Sequence, residues 1–129
     1  RLKVFPTRAR DEFKGNCPIG CGIVNMDVKT GPGTHFTLWI NLPNDKHVNY
    51  FDSYGVVPPA ELEAWLKTSG RPIAYSSSQL QPIASALCGY YCVYAAVKTL
   101  DSSFFNALMS FDKVPESNDI LMENYFSRG

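Results

Sequence analysis

A cysteine lies where a polar loop enters an apolar helix, in the run from Gln81-Pro82 through Ser85-Ala86-Leu87-Cys88-Gly89-Tyr90-Tyr91-Cys92 to Val97. The first turn of a helix carries N–H groups without intrahelical partners and the positive end of the helix dipole. A thiol there has its thiolate favoured, so its pKa falls and it becomes more nucleophilic at neutral pH. Gly89 offers no side chain to obstruct a substrate approaching the sulfur. Cys88 therefore reads as a nucleophile and the chain as a small cysteine peptidase. Because the run is apolar on every side, the helix itself is predicted to be buried all round.

Such a nucleophile needs a base, a group that orients the base, and donors for the oxyanion. The chain has 2 histidines. His47 falls among polar residues at a hairpin rim, where an exposed surface role is expected. His35 opens the segment His35-Phe36-Thr37-Leu38-Trp39-Ile40-Asn41-Leu42, a strand with Phe36, Leu38, Ile40 and Leu42 on one face and His35, Thr37, Trp39 and Asn41 on the other. The turn Pro43 to Lys46 returns the chain into a second strand, His47 to Asp52. That loop length pairs Leu42 with His47, Trp39 with Tyr50 and Thr37 with Asp52. Asp52 then shares a face with His35 and lies diagonal to it, with Cβ atoms roughly 7–8 Å apart. A slip of one residue would put the two on opposite faces.

The remaining elements supply the support. Leu2 to Phe5 reads as a short edge strand, Cys21 to Met26 as a strand, and Gly31-Pro32-Gly33 as a turn. Pro58-Pro59 opens a helix with Leu62, Trp65 and Leu66 on one face and Gly70 at its end. Ile73 to Tyr75 is a further strand. Ser102 is expected to cap a helix carrying Phe104, Leu108 and Phe111, and Ser117 to cap a last helix through Tyr125 and Phe126. Strands followed by helices predict an α+β domain, a mixed sheet packed against helices with the nucleophile at the start of a central buried helix. The chain, 1–129, reads as one domain in which 1–18 lack clear periodicity.

Composition narrows the function. Twelve basic and twelve acidic residues give a formal charge of zero, which does not point to nucleic acid. No apolar run reaches the roughly 18 residues of a membrane span, and no signal-peptide pattern opens the chain. The start at Arg1 rather than Met fits an excised domain or a processed product. Cysteines 17, 21, 88 and 92 form two Cys-x3-Cys pairs. The second pair lies inside an apolar helix, which disfavours a zinc knuckle, and nothing marks the oxidising compartment that disulfides require. Free thiols, no metal and no cofactor are expected, with Cys92 packing one turn beyond Cys88.

Taken together, Gly33-Thr34-His35-Phe36, then Tyr50-Phe51-Asp52-Ser53-Tyr54-Gly55, then Gln81-Pro82 and Ser85 to Cys92, resemble the adenovirus-type cysteine proteases. The resemblance is strongest to relatives in small DNA viruses and virus-like DNA transposons, within the group that includes the Ulp-type SUMO proteases, and it spans residues 20–127. It implies an adenain/Ulp-like fold with His35 as base, Asp52 as its orienting partner, Gln81 as side-chain oxyanion donor and Cys88 as nucleophile, its own N–H being the second donor. A glutamine amide donates without titrating, and Pro82 stiffens the loop that aims it. Gln79, on the same loop, is the rival donor.

The resemblance further implies intracellular action, in a host cell or virion, on viral or transposon structural precursors at Gly-containing sites. The substrate would be a protein or peptide, with an activating peptide as a further partner. The alternatives are a deconjugating isopeptidase acting on SUMO- or ubiquitin-like tails, and a catalytically retired interaction module, against which the four filled positions argue. An acetyltransferase would need basic clusters that the chain lacks. Departures from the family are Phe36 where relatives commonly have Trp, Asp rather than the adenoviral Glu, and a much less basic chain, which removes the expectation of DNA as an activator.

Overall fold

The computed structural model describes residues 2–27 and 35–127. The Gly31–Gly33 turn, and Gly33-Thr34 before His35, lie outside the described residues. In chain order the elements are β1 (Arg8–Ala9), β2 (Gly20–Asn25), β3 (Phe36–Asn41), β4 (Val48–Phe51), α1 (Ala60–Lys67), β5 (Ile73–Tyr75), α2 (Cys88–Asp101), α3 (Phe104–Met109) and α4 (Pro115–Phe126). The strands form one sheet in the order β1-β2-β3-β4-β5. Its two outer pairings are parallel, and β2–β3 and β3–β4 are antiparallel. The expected Leu2 to Phe5 strand is reduced to a bridge between Val4 and Cys21, and β1 forms a few residues later.

The hairpin register is the predicted one: Leu38 faces Phe51, Trp39 faces Tyr50 and Ile40 faces Asn49. The pleat sends these pairs to opposite sides. Leu38 and Phe51 pack with Tyr91, Cys92, Tyr94 and Ala95 of α2, Phe104 of α3 and Met122 of α4. Trp39 and Tyr50 pack on the other side with Leu62, Trp65 and Leu66 of α1. The sheet is thus the middle of three layers. Trp39 meets Trp65 edge-on, ring centroids 5.0 Å apart, and lies over Gly22, where a Cβ would stand 2.7 Å from the indole nitrogen.

Helix α1 places Glu61 and Glu63 in its first turn and Lys67 in its last, the arrangement its dipole favours. Arg71, just before β5, donates to Asn41 Oδ1 at 2.9 Å, to Pro43 O at 3.1 Å and to Leu42 O, which ties β5 to the β3–β4 turn.

Three helix expectations change. Ser103, not Ser102, caps α3, its side chain accepting from the Asn106 N–H; Ser102 instead ends α2. Helix α4 starts ahead of Ser117, with Pro115 in its first turn, where the missing proline N–H costs nothing. Helix α2 is not buried all round: Tyr90, Val93 and Leu100 are 51%, 45% and 51% exposed. The sheet, α3 and α4 cover only part of its circumference, and the uncovered strip runs beside Cys88.

Candidate active site

His35 and Asp52 leave the sheet at the same end, one just before β3 and the other just after β4. His35 Nε2 lies 2.9 Å from Asp52 Oδ1. The His35 side chain is partly exposed, at 21%, while that of Asp52 is buried, at 4%. A carboxylate only accepts, so a neutral imidazole bonded to it through Nε2 carries its proton there and keeps a free lone pair on Nδ1. Asp52 is held from several directions. Its Oδ1 accepts the Tyr54 N–H at 2.8 Å. Ser76, at the end of β5, donates its hydroxyl to Asp52 O at 2.9 Å and accepts the Asp52 N–H at 3.1 Å. The Tyr54 ring packs on His35, centroids 4.9 Å apart. His47 is exposed, with Nδ1 3.9 Å from Asp45, and takes no part in this cluster.

Cys88 is the first residue of α2, and the helix has no side-chain cap. Its first closing bond is Tyr91 N–H to Leu87 O at 3.1 Å, so the N–H groups of Cys88, Gly89 and Tyr90 have no acceptor within the helix. Two sets of bonds bring this terminus to the His35–Asp52 pair. One turn along, the Cys92 thiol donates to Phe36 O, beside His35, at 3.4 Å. On the loop side, the Tyr54 hydroxyl reaches Ile83 O and Ser85 O, each at 3.3 Å. The Tyr54 hydroxyl pKa is raised by burial first and then by the negative charge of Cys88, Asp52 and Asp119.

Gln81 is fully buried. Its Oε1 accepts from the Ser53 hydroxyl at 2.5 Å, and its Nε2 donates to Ser85 O at 3.0 Å. The amide therefore joins the end of the hairpin to the loop before Cys88, with one of its two N–H groups directed at Ser85. Ser53 O also accepts the N–H groups of Leu80 and Gln81, at 2.8 and 3.1 Å. Gln79 is exposed and donates to Gln81 O at 3.0 Å. Sequence reasoning gave no role to Ser53, Tyr54, Ser76, Ser85 or Asp119; Ser53-Tyr54 carried a signal by lying between Asp52 and Gly55, and Ser85 by opening the run that leads to Cys88.

Gly55 shapes this end of the hairpin. Its φ is +76°, and a Cβ there would stand 2.7 Å from the backbone carbonyl of Ser78. Gly55→Ala should cost about 2–3 kcal/mol: roughly 1–2 from the left-handed backbone and the rest from displacing the Ser78 segment. Urea unfolding should show a lower midpoint at unchanged slope.

The space over Gly89 is open. A groove of about 560 Å³ lined by Ile23, Phe36, Ala86, Cys88, Tyr90 and Val93 runs beside the sulfur. A smaller one, about 320 Å³, lies across Tyr90 between Leu87 and the end of α4. The other thiols are held protonated: burial pushes Cys17 up to about 12, against a weaker lowering by Arg71, and raises Cys21. Burial first, then the charges of Cys88 and Asp52, put Cys92 well above the usual thiol range. Among the described residues, no group of three or more His, Cys, Asp or Glu side chains is placed to hold a metal ion, and no helix is long and apolar enough to cross a membrane.

The architecture is α+β, a mixed five-stranded sheet packed between helices. Among solved structures, the chain is similar to the selenomethionine crystal structure of the ASFV pS273R protease, at a TM-score of 0.53 and 20% identity. The match covers 67% of this chain and 37% of that one, so this chain spans little more than a third of the protease it matches. No family model and no curated protein matches the sequence.

Proposed function

We propose that this chain is a cysteine peptidase domain. The observation that carries the reading is the 2.9 Å His35–Asp52 pair at the sheet end to which the uncapped, cysteine-bearing start of α2 is bound. The fold shared with the ASFV protease supports it. Cys88 passes its thiol proton to His35 Nδ1 and attacks the substrate carbonyl carbon. The oxyanion is held by the Cys88 N–H and by the second N–H of Gln81. Collapse of the tetrahedral species breaks the C–N bond, and His35 returns the proton to the leaving amine. Water then attacks the thioester, His35 takes its proton, and the acid and free thiol are released. Asp52 keeps the imidazole in the working tautomer.

The substrates in this reading are proteins or peptides, cut at Gly-containing sites within viral or transposon structural precursors inside the cell. The open space over Gly89 and the apolar groove beside it leave room for a substrate main chain at the sulfur. A peptide library run beside modifier proteins ending in Gly-Gly tests this. Cleavage within peptides by the wild type, absent in Cys88→Ala, is expected; turnover of the modifiers alone would make the chain a deconjugating isopeptidase, and turnover of neither would leave a retired interaction module.

Gln81 separates catalysis from binding. An oxyanion donor acts most strongly in the transition state, so Gln81→Ala should lower kcat about 10²–10³-fold with little change in KM. Gln81→Glu should be at least as poor, because a carboxylate repels the oxyanion. Gln79→Ala should lose less than about tenfold, or 1.4 kcal/mol. Kinetics on active-site-titrated protein remove any contribution from the Ser53 hydroxyl left unpaired. A larger loss in Gln79→Ala would move the donor to that residue.

A further inference from the structure

We propose that Asp119, on α4, is a positioning residue for this reaction, its carboxylate clamping the chain on both sides of Cys88. The proposal rests on the peptidase reading above. Asp119 Oδ1 accepts two hydrogen bonds, from the Ser85 hydroxyl at 2.9 Å and from the Tyr91 hydroxyl at 2.7 Å. Ser85 belongs to the loop entering α2, and Tyr91 lies one turn beyond Cys88, so one oxygen fixes the segment that carries the sulfur and the Cys88 N–H.

Ser85 is also the hub of that loop. Its hydroxyl oxygen accepts the Leu87 N–H at 3.2 Å, and its carbonyl accepts from Gln81 Nε2 at 3.0 Å and from the Tyr54 hydroxyl at 3.3 Å. Among the described residues, no Lys or Arg side chain forms an ion pair with Asp119. Its charge is answered by hydroxyls, which are thereby held as donors. The adjacent Asn118 is fully buried. Its amide donates to Leu80 O at 2.9 Å and to Asp112 O at 2.8 Å, and it accepts the Asp112 N–H at 2.7 Å. Asn118 and Asp119 thus brace the two ends of the stretch from Leu80 to Ser85 against α4. A loosened brace displaces Cys88 Sγ, the Cys88 N–H and Gln81 together.

A misplacement of about 1 Å in a catalytic group is worth roughly 10²-fold in rate. Asp119→Leu removes the acceptor, Asp119→Asn keeps an oxygen that can take both bonds, and Ser85→Ala cuts the loop-side link together with the Leu87 N–H bond to the same hydroxyl. Steady-state kinetics on a cleavable peptide, corrected by active-site titration and run beside thermal unfolding, read all three. Asp119→Leu is expected to lose about 10²-fold in kcat with KM within about threefold. Ser85→Ala should show the same split, and it decides the matter if Asp119→Leu does not fold. Asp119→Asn should stay within about tenfold of the wild type. Wild-type kcat in Asp119→Leu or Ser85→Ala, a loss confined to KM, or an Asp119→Asn as poor as Asp119→Leu would overturn the proposal. An active Cys88→Ala would instead overturn the peptidase reading itself; an inactive Cys88→Ala beside a full-rate Asp119→Leu would sink only the brace.

Discussion

Cys88→Ala is expected to lower kcat on the order of 10⁶-fold, the scale seen when the nucleophile of a triad hydrolase is removed. Without the sulfur there is no covalent intermediate, and the remaining groups have nothing to activate. The fold should survive, because Cys88 lines an open groove and its loss removes one atom at the edge of the packing. Thermal unfolding of the variant should therefore stay close to the wild type while peptide cleavage disappears. Residual cleavage within tenfold of the wild type, about 1.4 kcal/mol, would mean that Cys88 does not attack the substrate.

His35→Ala is expected to be nearly as severe, since the members of such a unit fail together rather than additively. Asp52→Asn should lose somewhat less, about 10⁴-fold. The amide still occupies the site between His35 Nε2 and the Tyr54 N–H, but it no longer enforces the tautomer that leaves Nδ1 free. His47→Ala should be nearly silent, because His47 is exposed and lies against Asp45, away from the His35–Asp52 pair. An inactive His47→Ala beside an active His35→Ala would overturn the assignment of the base.

The hairpin was legible because two local rules act on it together. A short turn fixes which residues face each other, and alternation fixes which side they point to. Trp39 opposite Tyr50 follows from these, and with it the meeting of His35 and Asp52. Helix existence was legible for similar reasons; helix ends were not. Ser102, Ser103 and Ser117 are chemically equivalent as caps, and only the backbone path decides among them. The burial of α2 was over-read: an apolar strip on a helix also arises where it lines a groove, as Tyr90 and Val93 do. The polar support was invisible because its partners are distant in sequence. Ser76 reaches Asp52, Ser53 reaches Gln81, and Asp119 reaches Ser85 and Tyr91, and no periodicity brings a serine or an aspartate on a late helix to a loop formed much earlier in the chain.

The most direct measurement is the order in which the four thiols react with iodoacetamide at neutral pH, read by mass spectrometry of digested protein. Exposure does not separate them, since Cys17, Cys21 and Cys88 are 7%, 5% and 7% exposed and Cys92 is fully buried. Their surroundings do: burial raises the pKa of Cys17, Cys21 and Cys92, whereas Cys88 lines the groove at an uncapped helix start. Cys88 should be modified first by a wide margin, with peptide cleavage lost in step and both slowed by His35→Ala. Faster labelling of Cys17, Cys21 or Cys92, or complete labelling of Cys88 with cleavage intact, would contradict its assignment as the nucleophile.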